Sequence, residues 1–300
     1  MAALSRSHGQ IDPTRVKSGE RAPSIDDILK EAKRWEKVPN RCEPLTKEML
    51  GHILQQAQRE RSVGHRDGLY SAIGDWGTMG LQSGFRKSEW AQDNGSLRRD
   101  KDVQRNVDGT PKAFLSSDFQ FKGDAGKHVR STTQVSMAAA QTVDTCWRFQ
   151  KNGDNGQKIT YAKDDVHKDR CYATATKNVV SRASRLKIPP TEPIAQYATY
   201  KKRCKKTTIK CVNYITDVEI NQVLREAASE VYSIKCPIQL AKFSSHSYRV
   251  GACVQLHAAN QDAEFIKFRL RWRSDSFKMY LRNIPALARK HLEALNAPVF

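Results

Sequence analysis

One stretch of this 300-residue chain narrows its possible folds more than any other. Between Val143 and Gln150, Val143, Thr145, Trp147 and Phe149 alternate with Asp144, Cys146, Arg148 and Gln150. A two-residue period of this kind marks a strand with one buried face. The NGDNG run, Asn152 to Gly156, follows with two Asn-Gly pairs, residues that accept the positive φ of a hairpin turn. Ile159 and Tyr161 continue on the returning strand, and Phe114 to Phe121 is expected as another strand.

Around this hairpin the apolar period is helical. Thr46 caps a helix with Met49, Leu50, Ile53, Leu54 and Ala57 on one face. A second helix carries Leu69, Ile73, Trp76 and Met79 toward Gly80–Trp90. Asp93 to Pro111 is polar and charged, and is expected as an exposed loop. Helices resume near 171–186 and 217–232, the latter burying Val218, Val223, Leu224 and Ala227. After His246 the pattern is helical, with breaks at Asn260, Arg273 and Pro285. The expected class is α+β: a mostly helical domain over 44–300 with a small antiparallel sheet. Ahead of it, residues 1–23 form a disordered basic tail, and 24–43 form one helix, capped by Ser24, and a linker.

Lys and Arg number 51 against 32 Asp and Glu, a formal charge of +19. Such an excess favours a polyanionic partner through phosphate neutralisation and counterion release. The chain has no long apolar run and no hydrophobic signal core at its N-terminus, so a soluble intracellular protein with no membrane partner is expected. The seven cysteines form no CxxC pair and read as reduced, packed thiols rather than metal ligands. No P-loop or carboxylate cluster is present, and no cofactor or metal is expected.

The segment Ser244 to Asn283, SSHSYRVGACVQLHAANQDAEFIKFRLRWRSDSFKMYLRN, sets His246, Arg249, Trp272 and Tyr280 in close order. His246 and Arg249 are three apart at the start of a helix capped by Ser244 or Ser245, so they share a face. Val250, Cys253, Val254 and His257 are directed to the core. Tyr280 falls on a short helix capped by Ser274, with Phe277 and Leu281 packing beneath it. Upstream, Gly84-Phe85-Arg86-Lys87-Ser88-Glu89 places Arg86 where a glycine turn enters a helix, with Glu89 one turn on to orient it. Lys151 stands at the tip of the expected hairpin, with Lys158 on the returning strand as the fallback.

This ordered set resembles the active-site signature of the tyrosine recombinases, the phage integrase family, over roughly Leu45 to Leu295. Arg86 and Glu89 match the GxRxxE box, Lys151 the hairpin lysine, and His246 and Arg249 the HxxR motif. Trp272 matches a position that holds His or Trp, and Tyr280 the nucleophile. The resemblance implies site-specific cutting and rejoining of double-stranded DNA, for a mobile element, through a 3′-phosphotyrosyl intermediate that needs neither ATP nor metal. Arg86 and Arg249 would clamp phosphate oxygens. Lys151 would protonate the leaving oxygen. His246 would exchange the tyrosine proton or hydrogen-bond the phosphate, and Trp272 would donate from its indole N–H. Cations near Tyr280 are expected to favour its phenolate. Glu89 would support Arg86.

The resemblance also implies a homo-oligomer, a tetramer on DNA, assembled through the last helix, Ile284 to Asn296; packing of that helix within its own chain is the alternative. The run YKKRCKK, Tyr200 to Lys206, touches DNA backbone, directs nuclear import or is simply solvated. The expected compartment is the nucleus in a eukaryote, otherwise cytoplasm or nucleoid. Relatives carry an N-terminal helical clamp, whereas Met1 to Pro44 show one helix, so the clamp is lost, truncated from this sequence or supplied by another protein. Two rival functions remain open: an inactive DNA-binding remnant of a mobile element, and a type IB topoisomerase.

Overall fold

The computed structural model describes residues 41–92, 103–123, 137, 139–150, 153–203 and 206–281. The expected tail and first helix, residues 93–102, Lys151, and the C-terminal helix from Ile284 lie outside them. Contacts divide the chain at Arg41, and all the described elements belong to the unit from Cys42 onward.

The described residues form α1 (Lys47–Ser62), α2 (Leu69–Ser83), α3 (Lys87–Trp90), β1 (Phe119–Lys122), β2 (Thr142–Trp147), β3 (Gln157–Ala162) and α4 (Tyr172–Arg185). They continue with β4 (Gln196–Arg203), β5 (Lys206–Tyr214), α5 (Asp217–Tyr232), α6 (Pro237–Leu240), α7 (Ser247–Ala258), α8 (Ala263–Leu270) and α9 (Lys278–Leu281). This is the expected α+β class, mainly helical with antiparallel strands. β1, β2 and β3 form one antiparallel sheet in that order, and β4 and β5 a separate hairpin. No described helix is long and apolar enough to cross a membrane.

α2 is the axis of the fold. Its sequence, LYSAIGDWGTMGLQS, leaves almost no polar face, and twelve of its fifteen residues are buried. A helix apolar all round must be covered all round, and α1, α4, α5, α7 and β4 all pack on it. Trp76 lies at its centre, stacked on Trp90 and Phe114. Glycines let α7 approach closely. A Cβ on Gly251 would stand 2.3 Å from the Leu45 carbonyl oxygen, a contact that only glycine avoids. Beside it the Leu45 amide donates to Ser247 O at 2.9 Å.

Several sequence expectations shift in detail. α1 starts at its expected cap, Thr46, whose hydroxyl accepts from Met49 N. In α5, Val218 is exposed and Ile220 takes its place, because Ile220, Val223, Leu224 and Ala227 share one helical face and Val218 lies across from it. β2 ends at Trp147, not Gln150. Arg148 leaves the ladder for Asp118, which it holds through Nε at 3.1 Å and a second nitrogen at 2.8 Å. The chain is accordingly irregular over 148–150 and 153–156, and the Gly156 amide donates to Trp147 O at 2.8 Å. Since Ser116–Asp118 form a 3-10 turn, only Phe119–Phe121 of the expected 114–121 strand pairs, and the pairing runs on to Lys122. The six described cysteines are free thiols.

Candidate active site

The C-terminal end of α2 gathers most of the predicted residues. Gly84 ends this helix in the left-handed conformation, φ +56°, with its amide donating back to Gly80 O. The glycine therefore terminates α2; α3 is a single turn, and its amides are no extended anion seat. The last carbonyls of α2 lack helical partners, and two buried arginines supply them. Arg249 donates to Gly84 O at 2.6 Å, and Arg271 donates to Ser83 O at 3.0 Å.

Arg86 caps α3 and is partly exposed. Glu89, 1% exposed, accepts the Arg86 backbone N–H at 2.8 Å and its guanidinium at 3.2 Å. The oxygen that accepts the Arg86 backbone N–H, Oε2, also accepts from Arg271 at 3.0 Å. Sequence reasoning missed Arg271. The visible signal was an arginine directly before Trp272, in a segment where every second residue from 269 to 273 is cationic.

His246 and Arg249 leave the start of α7. Its N-cap is His246 itself, rather than a serine; Ser244 contributes its hydroxyl to the His246 amide at 3.4 Å. His246 Nε2 lies 2.8 Å from the Tyr280 hydroxyl. Arg249 is enclosed, with its guanidinium carbon 4.0 Å from the centre of the Trp272 ring, a cation–π contact. Trp272 in turn packs against Phe277 and Tyr280. Two donors in this cluster, one terminal nitrogen of Arg249 and Trp272 Nε1, are shut from solvent and have no hydrogen-bond partner among the described residues.

The electrostatics follow from this enclosure. Burial, then the charges of Arg86 and Arg271, lower the pKa of Arg249. Crowding around the His246 ring, then Arg249 and Arg86, lowers its pKa below the usual value, leaving the imidazole neutral at pH 7. For Tyr280 burial raises the pKa more than Arg249 lowers it. This corrects the expectation that nearby cations favour the phenolate: at rest Tyr280 is a phenol beside a neutral imidazole.

The structure thus brings together Arg86, Glu89, His246, Arg249, Trp272 and Tyr280. Lys151 lies outside the described residues; Lys158 is exposed on β3, paired across the sheet with Cys146. Among the described residues no group of three His, Cys, Asp or Glu side chains is arranged to hold a metal ion.

No protein-family model matches the chain, and no curated protein matches it. Among solved structures it is similar to the Tn1549 transposon integrase, determined in complex with transposon right end DNA, at 14% identity and a TM-score of 0.44. The similarity covers 95% of this chain and 75% of that one.

Proposed function

We propose that this chain is a site-specific recombinase of the integrase type, which breaks and rejoins duplex DNA through Tyr280. The observation that carries this reading is the 2.8 Å contact between Tyr280 and His246 beside partnerless donors on Arg249 and Trp272. Phosphodiester cleavage needs a nucleophile, a proton acceptor and donors for the extra negative charge of a pentavalent phosphorus. Tyr280, His246, and the pair Arg249 and Trp272 are of those three kinds.

In this mechanism the Tyr280 oxygen attacks phosphorus while its proton passes to His246 Nε2. The bond from phosphorus to the 5′ oxygen breaks, and Lys151 gives that oxygen a proton. A 3′-phosphotyrosyl bond and a 5′-hydroxyl result; attack by a 5′-hydroxyl reverses the steps and frees Tyr280. One phosphoester bond replaces another, so no nucleotide hydrolysis is required. The Arg249 and Trp272 donors are closed to solvent, so the surrounding side chains must open to admit a phosphate. Arg86, partly exposed and tethered by Glu89, takes the same phosphate from outside.

Nicked duplexes that trap the covalent intermediate provide the test. The wild-type chain should form an adduct that Tyr280→Phe abolishes while DNA binding persists. Lys151→Ala should lose cleavage of ordinary DNA and recover it when the leaving oxygen is replaced by sulfur. An adduct that survives Tyr280→Phe would overturn the proposal.

A further inference from the structure

Arg269, Arg271 and Arg273 occupy alternate positions in the RLRWR segment that leads to Tyr280, and all three reach the β2–β3 hairpin. Arg269 donates to Thr160 O at 3.4 Å from two nitrogens and lies 4.8 Å from the centre of the Tyr161 ring, near the far end of β3. Arg271 rests on Trp147, the last residue of β2, at 3.3 Å from ring centre to guanidinium carbon. Arg273 forms a two-point ion pair with Asp154 in the loop between the strands, including Nε to carboxylate at 3.2 Å.

Backbone conformation adds an independent observation. Arg271 ends α8 with φ +58°, a left-handed position where glycine carries no strain and a long side chain does. The Trp272 amide closes the same turn on Lys267 O at 2.9 Å. An arginine at such a place calls for a reason in its side chain. Here the guanidinium binds Ser83 O, Glu89 and the Trp147 face together.

We propose that these three arginines are positioning residues that lock the β2–β3 hairpin to the segment carrying Trp272 and Tyr280. Through Glu89, Arg271 also ties this body to Arg86. The device deepens the proposed function, because strand cleavage needs groups from both sides held in one register, and a displacement near 1 Å costs about 100-fold in rate. Its structural part stands without that function.

The test therefore has two readouts on the full chain. Arg273→Ala removes a solvent-exposed ion pair of little value to stability. It should speed amide hydrogen exchange at 153–158 about threefold or more, with the thermal midpoint unchanged. Combining Arg273→Asp with Asp154→Arg should restore protection. On a pool of nicked duplexes of randomised sequence, Arg271→Gly should form adducts about 100-fold more slowly at unchanged DNA affinity, although glycine relieves the backbone. A mere helix cap would leave Arg271→Gly as active as wild type. That outcome, or unaltered exchange in Arg273→Ala, overturns the proposal. Should the wild-type chain form no adduct at all, the proposed function fails, and the exchange experiment alone decides on the lock.

Discussion

The two ends of α2 each bury arginines against carboxylates, yet they are built differently. At the Gly68 end, Arg182 is 3% exposed and binds Asp75, with Ser71 O at 2.9 Å and Asp67 at 3.8 Å. Arg185 completes the pairing with Asp67, and Asn178 donates to Asp75 at 3.0 Å. Two cations meet two anions. At the Gly84 end, Arg86 and Arg271 share one carboxylate, Glu89, and both of their charges act on the buried Arg249 beside them. A balanced buried cluster fixes helices. One left with excess positive charge is poised for an anion from outside, because an uncompensated buried charge is costly until it is met.

Removing one arginine from each end should therefore have opposite consequences. Arg182→Met leaves Asp75 buried without its cation and should cost about 3 kcal/mol of stability, read as a lowered denaturant midpoint. Arg249→Met removes surplus charge along with the donor to Gly84 O, so it should cost less stability than Arg182→Met, while adduct formation falls by about 10²- to 10³-fold. Equal destabilisation by both would erase the distinction between the two ends. Glu89→Gln sharpens it, since it enlarges the surplus at the Gly84 end and should destabilise the chain through Arg271.

Much of this arrangement is legible in the sequence. Buried faces recur at helical spacing in α1, α2 and α5, and the site residues sit in local motifs whose order could be read directly. Other features depend on contacts between distant segments. Arg271 was invisible as a partner of Glu89 because 182 positions separate them. The β4–β5 hairpin escaped notice because YKKRCKK reads as a charge run, although Thr207, Thr208, Ile209 and Val212 beside it are strand formers. Ionisation was misjudged at Tyr280 for a related reason: the motif shows the cations, whereas the burial that outweighs them comes from packing.

Burial, and then the neighbouring cations Arg249 and Arg86, give the Gly84 end a pH dependence of its own. His246 has a lowered pKa in the folded chain, so between the unfolded value near 6.5 and the folded one, the unfolded chain binds more protons. Stability should thus fall as pH drops below about 6.5 and level off once His246 protonates in the folded state as well. Adduct formation should decline on the acid side of that lower pKa, where the imidazole can no longer accept the Tyr280 proton. His246→Asn should flatten this acid limb by removing the titrating group. If the limb survives in the variant, proton transfer belongs to another group.

The smallest expected effect tests whether the balanced end meets DNA at all. Tyr200 of β4 stacks on His65 at 4.4 Å and accepts the Asp67 amide at 3.0 Å, which fixes the β4–β5 hairpin at the Gly68 end. A fifteen-residue helix spans about 22 Å, so this end stands well away from Tyr280. Lys201 and Lys210 are exposed there. If each meets one phosphate, changing both to alanine should reduce the slope of log affinity against log salt by about 1.8, at roughly 0.9 per phosphate. The rate of cleavage of saturated DNA should not move, because neither ammonium reaches the reacting phosphorus. An unchanged slope would restrict DNA contact to the Gly84 side, and a changed rate would mean that the two ends of α2 are coupled rather than separate.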